Sequence, residues 1–307
     1  MKKQKAVREA VIVKDLVFTG AGVAIVTPLT DDGINYAELA RMIEFNIENK
    51  TDAIVITGTT GESATLSDEE HKEAIKFTVE QVKGRVPVIA GTGSNDTAYA
   101  VQLSIYAEEV GADALLLVTP YYNKCSQKGL LRHFYEVADA VHIPIILYNV
   151  PSRTGVNIHP ATYVELAKHP RIAAVKEASG DLSAILKIRA LCGDDLAIYS
   201  GNDDQIVPIL SIGGKGVISV LSNIAPKQTH DICQLYFDGK TDEAAAMQIA
   251  YHDLIEALFI EVNPIPVKTA VSLMGFEAGP LRMPLCEMEE AHLHTLKEVM
   301  KKHGLIK

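Results

Sequence analysis

Lys176 is the residue of this chain whose type and position most directly suggest covalent chemistry. It follows the apolar run Ile172-Ala173-Ala174-Val175, which is typical of a buried strand. A lysine half enclosed by hydrocarbon loses hydration of its ammonium form, and this favours the neutral amine. A neutral amine can attack a ketone and form a Schiff base. Position alone favours a lysine that simply extends into solvent, so the assignment depends on the residues around it.

Further candidate residues follow other apolar runs. The segment Gly58-Thr59-Thr60-Gly61-Glu62-Ser63 offers glycines for a tight turn, with hydroxyl and backbone N–H groups for a small carboxylate. Tyr148 is expected on the strand beside Lys176, about 5 Å away, where a phenol could transfer protons at an imine. The planar fork of Arg153 suits a carboxylate. Each also has an ordinary explanation as a βα turn, a packing tyrosine or a surface arginine.

Eight short apolar runs predict the elements that carry these residues. They are centred near Ile25, Val55, Val88, Leu116, Ile146, Ala174, Ile198 and Ile218. Their spacing of 20–33 residues leaves room for a helix and two loops after each run. We therefore predict an α/β fold, a (β/α)8 TIM barrel with a C-terminal helical extension. The predicted parts are an N-terminal arm (1–16), a catalytic barrel (17–238) and a helical domain (239–307).

Helix signals lie between the runs. Ser67 and Glu70 form a capping-box pattern, Asp181 is suited to cap the next helix, and Pro160 and Pro226 suit first helical turns. The sequence Gly213-Gly214-Lys215-Gly216 resembles a phosphate loop. It precedes the eighth run, however, and should therefore lie at the rim of the barrel opposite the candidate residues, which follow their runs.

Composition bounds the function classes. The formal net charge of −10 argues against a nucleic-acid partner, and no apolar stretch is long enough to cross a bilayer. The four cysteines lie far apart without a CxxC pattern, which predicts a reducing, cytoplasmic location. The first residues contain no continuous apolar region of the signal-peptide kind. The ten histidines show no metal-ligand spacing, so we expect no metal site.

The chain resembles the dihydrodipicolinate synthase / N-acetylneuraminate lyase family in five motifs at predicted strand ends. They are GTTGES at 58–63, TPYYN at 119–123, YNVPSRTG at 148–155, VKEASGD at 175–181 and GVISV at 216–220. The resemblance extends from about Phe18 to the C-terminus. It implies a class I aldolase mechanism with pyruvate bound covalently on Lys176, without a metal or organic cofactor.

The resemblance also implies roles for the other site residues. Tyr148, Thr60 and Tyr122 would form a proton relay, with Tyr122 supplied by the neighbouring subunit of a tight dimer. Thr59 and Thr60 would hold the pyruvate carboxylate, while Gly201 and Ile218 would shape the pocket. Arg153 would receive the carboxylate of L-aspartate 4-semialdehyde. The expected small-molecule product is 4-hydroxy-tetrahydrodipicolinate, and the expected assembly is a homotetramer, a dimer of dimers.

Two alternatives remain open from the sequence. One is a sibling lyase or aldolase that acts on N-acetylneuraminate or a 2-keto-3-deoxy sugar acid by the same imine chemistry. Arg153 argues against it, because the resemblance implies that sialic-acid lyases lack an arginine there. A neutral polyol substrate has no use for the buried guanidinium that we expect at this position. The other is a catalytically silent barrel, which the complete set of site residues disfavours.

One part of the resemblance is imperfect. Family members inhibited by lysine carry an acidic residue where this chain has Tyr99, and a histidine where it has Asp68. We therefore expect a degenerate effector site with weak or absent lysine feedback. Its residues would be Ser63, Ala64, Asp68, His71, Asn95, Tyr99 and Tyr121.

Overall fold

A closed barrel of eight parallel strands forms the centre of the protein. The computed structural model describes Lys14 and residues 16–307, so most of the predicted N-terminal arm lies outside the described residues. The strands are β1 Gly20–Ala24, β2 Ala53–Ile56, β3 Val88–Gly91, β4 Ala114–Val118, β5 Ile145–Asn149, β6 Ile172–Glu177, β7 Ala197–Ser200 and β8 Gly216–Ser219. β1 pairs with both β8 and β2, which closes the barrel and confirms the predicted fold class.

Helices follow the strands and cover the outside of the barrel. They are α1 Tyr36–Glu48, α2 Asp68–Val82, α3 Thr97–Glu109, α4 Gln127–Ala140, α5 Pro160–Leu166, α6 Leu182–Cys192, α7 Ile206–Ser211 and α8 Pro226–Phe237. A short hairpin (Leu29–Thr30 with Gly33–Ile34) and a one-turn helix (Pro151–Thr154) lie between them. After α8 the chain continues as α9 Thr241–Ala250, α10 His252–Leu258, α11 Ile265–Leu273 and α12 Glu290–Lys302.

The residues predicted to start helices do so in the structure. The Ser67 hydroxyl accepts the Glu70 N–H while the Glu70 carboxylate accepts the Ser67 N–H, which completes the capping box of α2. Asp181 caps α6 through the N–H of Ala184, and prolines begin α5 and α8. These caps fix where each helix starts after its strand.

Two layers of apolar side chains result from strand alternation. In β5 and β6, Ile146, Tyr148 and Ala174 belong to the cluster inside the barrel. Leu147 and Val175 belong to the larger cluster between the strands and the helices. Because every strand is buried on both faces, each reads as a continuous apolar run.

Two predicted strand positions need correction. Ile25 lies just beyond β1, although its N–H still bonds to the Val55 carbonyl at 3.1 Å. Lys176, which follows the apolar run in sequence, lies within the strand, because both it and Glu177 continue the pairing with β5 and β7. The phosphate-loop look-alike is confirmed to precede β8, where Gly216 begins the strand.

Candidate active site

Lys176 and Tyr148 lie side by side inside the barrel, near the carboxyl ends of β6 and β5. They are register partners on the two strands, and each residue is only 6% exposed. The Lys176 Nζ atom lies 4.3 Å from the centroid of the Tyr148 ring. The amine is therefore held against an aromatic face in a largely dry environment, which is where a lysine nucleophile gains reactivity.

Gly201 leaves the space that the lysine stem occupies. It follows β7, and its N–H donates to the Glu177 carbonyl at 2.7 Å. A Cβ atom at position 201 would lie 2.6 Å from the Ala178 Cβ and 3.2 Å from the Lys176 Cε. Ile218 on β8 is fully buried in the same interior cluster as Tyr148. Both residues thus bound the interior around the reactive pair.

The Thr59–Thr60 segment forms a single helical turn, Thr59–Gly61, directly after β2. Thr60 is buried, and its hydroxyl accepts a hydrogen bond from Nδ2 of Asn263 at 3.1 Å. Thr59 lines a cavity that opens beside this turn. The turn therefore offers one hydroxyl to the cavity and holds the other in a fixed orientation.

A buried ion pair fixes the end of this turn. Glu62 has a left-handed backbone, with φ 55°, and accepts a 2.6 Å hydrogen bond from Lys268 Nζ on α11. The two side chains are 1% and 2% exposed. The other carboxylate oxygen of Glu62 accepts the N–H of Arg282 at 3.0 Å. Burial lowers the pKa of Lys268, and the Glu62 carboxylate opposes that shift.

Arg153 lies on the one-turn helix after β5 and lines the cavity. Its Nη2 donates to the Asn263 carbonyl at 2.9 Å. The sequence interpretation of a buried guanidinium was wrong in this respect, because Arg153 is exposed at the cavity mouth. The remaining guanidinium donors can meet a carboxylate that enters from solvent.

The two loop tyrosines after β4 point in different directions. Tyr121 lines the cavity, whereas Tyr122 is 92% exposed and has a positive φ of 67°. The loop is tied to Asn95, whose Nδ2 donates to the Tyr121 carbonyl at 3.2 Å. Tyr122 is not among the side chains that line this chain's own cavity.

The cavity is about 660 Å³ and joins two groups of predicted residues. Thr59 and Arg153 line one part of it. Six of the seven predicted effector-site residues also line it, namely Ser63, Ala64, Asp68, His71, Tyr99 and Tyr121. Asn95 is set back and contacts Tyr121 instead. Val118 and Val150 line the cavity and also pack on the interior cluster that contains Tyr148.

Asp68 and Tyr99 differ chemically from the histidine and the acidic residue that the resemblance implies at these two positions in lysine-inhibited members. The Asp68 carboxylate bonds to Lys72 at 2.7 Å, and that contact lowers the pKa of Asp68. Burial raises the pKa of Tyr99 to about 12, so its phenol stays neutral at physiological pH. The Asp68 carboxylate is thus already paired with a lysine of its own helix.

Three site residues were missed by sequence reasoning. Asn263 lies in the turn before α11 and Lys268 lies on α11. Neither follows a barrel strand, so the rule that functional residues follow strand ends could not identify them. Asp203 follows β7 and could have been found by that rule. Its Oδ2 accepts the N–H groups of Val220 and Leu221 at 3.0 and 2.9 Å. Burial raises the pKa of Asp203, and nearby Lys176 is among the groups that oppose the shift.

Two features are absent from the described part of the chain, a membrane-spanning helix and a cluster of metal ligands. Within Lys14 and residues 16–307, no helix has the length and apolar character to cross a membrane. In the same residues, no group of three or more His, Cys, Asp or Glu side chains is arranged to hold a metal ion.

Comparison with known proteins agrees with this geometry. The model of the dihydrodipicolinate synthetase family matches residues 17–303. A 4-hydroxy-tetrahydrodipicolinate synthase of Clostridium perfringens is 60% identical over 290 residues, covering 94% of this chain and all of the relative. A dihydrodipicolinate synthase structure from Thermotoga maritima superposes with a TM-score of 0.93 at 40% identity, covering 95% of this chain and all of that one.

A second solved structure is similar over the same length. The lysine-bound synthase of Cyanidioschyzon merolae has a TM-score of 0.92 at 39% identity, covering 95% of this chain and all of that one. The fold, the strand-end position of Lys176 and these similarities agree along nearly the whole chain. The chain therefore belongs to the dihydrodipicolinate synthetase family.

Proposed function

We propose that the chain condenses pyruvate with L-aspartate 4-semialdehyde to (4S)-4-hydroxy-2,3,4,5-tetrahydrodipicolinate, in lysine and diaminopimelate biosynthesis. The relatives that span its length carry the name of this activity. The single observation that carries the mechanism is the buried Lys176 amine, 4.3 Å from the Tyr148 ring at the strand ends. This arrangement favours an imine of the lysine with the keto acid.

In the first half of the proposed reaction, the neutral Lys176 amine attacks the ketone carbon of pyruvate. Tyr148 supplies the proton with which the carbinolamine hydroxyl leaves as water, giving the imine. The hydroxyl and N–H groups of the Thr59–Thr60 turn hold the pyruvate carboxylate. Because Lys176 itself provides the electron sink, the proposed reaction needs no metal or organic cofactor.

In the second half, the Tyr148 oxygen, which has given up its proton in the first half, accepts a methyl proton and so converts the imine to an enamine. The enamine carbon attacks the aldehyde carbon of the second substrate and forms the new C–C bond, and Tyr148 returns the proton to the resulting alkoxide. The amino group of that substrate then replaces Lys176 at the former ketone carbon, which closes the ring and frees the lysine. Arg153 at the cavity mouth orients the aldehyde substrate by its carboxylate.

Exposed side chains support an assembly of identical subunits. Tyr122 is 92% exposed beside a site that its own chain does not let it enter. We infer that it enters the neighbouring subunit's site and completes the relay with Tyr148 and Thr60. Leu182 and Leu186, which are one turn apart on α6, form an exposed apolar patch. This patch and the exposed Tyr122 provide two separate contact surfaces, and two different contacts per subunit support a dimer of dimers, that is, a homotetramer.

A cytoplasmic location is the last part of this proposal. All four cysteines are free, at positions 125, 192, 233 and 286. Free thiols at these positions suit a reducing compartment.

The role of Arg153 gives a test of the substrate assignment. Arg153→Ala should lower kcat/KM for L-aspartate 4-semialdehyde by about 10–100-fold, because charge-assisted hydrogen bonds to the carboxylate are lost. Pyruvate should still form its imine. A coupled assay with pyruvate and either the amino-acid aldehyde or a sugar aldehyde measures kcat/KM for each second substrate. Arg132→Ala, at an exposed arginine on α4, is the matched control. Turnover of a sugar aldehyde in preference to the amino-acid aldehyde would contradict the assignment.

Lysine should inhibit the enzyme weakly or not at all. Position 99 is a neutral tyrosine, and the Asp68 carboxylate is paired with Lys72 at 2.7 Å, so an incoming ammonium group finds no free carboxylate there. Steady-state rates with increasing L-lysine measure this directly. Tyr99→Glu supplies the missing charge and should increase sensitivity. Inhibition of the unaltered enzyme at micromolar lysine would contradict the prediction.

A further inference from the structure

We propose that Glu177 is a positioning residue, which locks the ends of β5 and β6 from outside the barrel and so holds Tyr148 against Lys176. The proposal rests on the proposed function, in which these two residues form and convert the imine. Glu177 directly follows Lys176 in the chain, yet its side chain belongs to the opposite face of the strand.

Strand register places two pairs back to back. Tyr148 is the partner of Lys176, and Asn149 is the partner of Glu177. The first pair faces the barrel interior. By strand alternation the second pair faces the helices, on the side where Leu147 packs. A contact between Asn149 and Glu177 therefore fixes the spacing of the reactive pair directly behind it.

The Glu177 carboxylate accepts four hydrogen bonds. Its Oε1 accepts from Asn149 Nδ2 at 2.6 Å and from the Tyr163 hydroxyl at 3.0 Å. Its Oε2 accepts from the N–H and hydroxyl of Ser179 at 3.1 and 2.7 Å. Acceptance at both oxygens is the pattern of an ionised carboxylate. Burial raises the pKa of Tyr163 well above its ordinary value, so this phenol remains a donor.

Asn149 extends the network to the loop that carries Arg153. Its Oδ1 accepts the Ile158 N–H at 3.1 Å, and its Nδ2 also donates to Asn157 Oδ1 at 2.8 Å. One buried amide thus ties together β5, the end of β6 and the loop after β5. The network links the two residues proposed for imine chemistry with the segment that presents the second substrate.

The free-energy cost of burying this network indicates that its role goes beyond packing. Glu177 is 1% exposed, and Asn149 and Tyr163 are fully buried. No ion pair of Glu177 occurs within the described residues. Burying a carboxylate without a cation is expensive unless its hydrogen bonds are complete. Complete buried networks, in return, hold one rigid arrangement, and this one lies directly behind the reactive side chains.

Glu177→Gln is the direct test. A glutamine amide has one oxygen and one NH2 group. In either orientation its NH2 faces one N–H group that can only donate, so that hydrogen bond is lost, while the hydroxyl on the same side must reverse and accept. We expect kcat to fall by about 10–100-fold, as for a misplacement of reacting groups. Tyr163→Phe removes a single donor and should cause a smaller loss. It also keeps the proposal testable should Glu177→Gln fail to fold.

A double-mutant cycle separates positioning from general stability. In a Tyr148→Phe background, Glu177→Gln or Tyr163→Phe should cause little further loss of kcat, because the residue being positioned is already altered. The same fold-change in both backgrounds would overturn the proposal, as would an unchanged kcat. Glu38→Gln is the control, because Glu38 is a buried carboxylate paired with Arg41 on α1 and remote from these strands. Its activity should match the parent enzyme.

Borohydride trapping of pyruvate on the unaltered enzyme distinguishes failure of the proposed function from failure of the positioning role of Glu177. If peptide mapping finds no adduct on Lys176, the imine mechanism fails and the positioning role fails with it. If Lys176 is trapped but the cycle is additive, only the role of Glu177 is overturned.

Discussion

Lys176→Met is expected to lower kcat on the order of 10³-fold and to abolish covalent capture of pyruvate. Methionine keeps the apolar stem and approximate volume of lysine, so the interior around Tyr148 should stay packed. What is lost is the nitrogen that attacks the ketone. Sodium borohydride added with pyruvate should label the parent enzyme on one peptide, the one that contains position 176, and leave the variant unlabelled.

The control for this experiment is Lys215→Met. Lys215 immediately precedes β8, at the opposite rim from the proposed site. This variant should retain its activity and its adduct on Lys176. An adduct that persists in Lys176→Met, at any other lysine and with parent-like turnover, would contradict the mechanism.

Lys268→Met is expected to destabilise the folded protein by about 3–5 kcal/mol, because it leaves the Glu62 carboxylate buried without its cation. The two side chains are 2% and 1% exposed and meet at 2.6 Å. The variant should also raise KM for pyruvate, since Glu62 ends the turn that presents Thr59 and Thr60. Denaturant unfolding at fixed protein concentration measures the first effect, and steady-state kinetics the second.

An exposed pair provides the matched control. Lys72→Met removes an ion pair of similar length, 2.7 Å, whose side chains are 35% and 42% exposed. It should cost much less than Lys268→Met, because solvent screens an exposed ion pair. The double variant Glu62→Gln with Lys268→Met should recover part of the loss, because no uncompensated charge remains. Equal destabilisation by Lys268→Met and Lys72→Met would show that the buried pair is not structurally important.

Local and periodic features of the chain were sufficient to predict the barrel. A strand buried on both faces must be apolar throughout, and a parallel strand needs a crossover helix before the next. Eight runs with helix-length gaps therefore specify the architecture, while Ser67, Asp181 and the prolines mark helix starts. The same reasoning predicts that Tyr148 and Lys176 share one rim, because strand ends of a parallel barrel meet there.

Contacts between distant parts of the chain could not be predicted in this way. Asn263 reaches Thr60 across 203 positions, and Lys268 reaches Glu62 across 206. No periodicity relates such residues, since their meeting depends on how the C-terminal helices pack over the barrel. The exposure of Arg153 was misjudged for the same reason, because it depends on the shape of the cavity mouth.

The sequence by itself determined the strand order, the caps and the rim on which Lys176, Tyr148 and Thr60 lie. These depend on short-range chemistry and on the alternation of side chains along a strand. Only the tertiary structure decided that the amine rests on the Tyr148 ring and that Glu177 is held by four donors behind it. It also decided that Tyr122 turns away from its own site. Such details are set by packing between elements, where distances of a few ångströms follow from the whole fold rather than from any one segment.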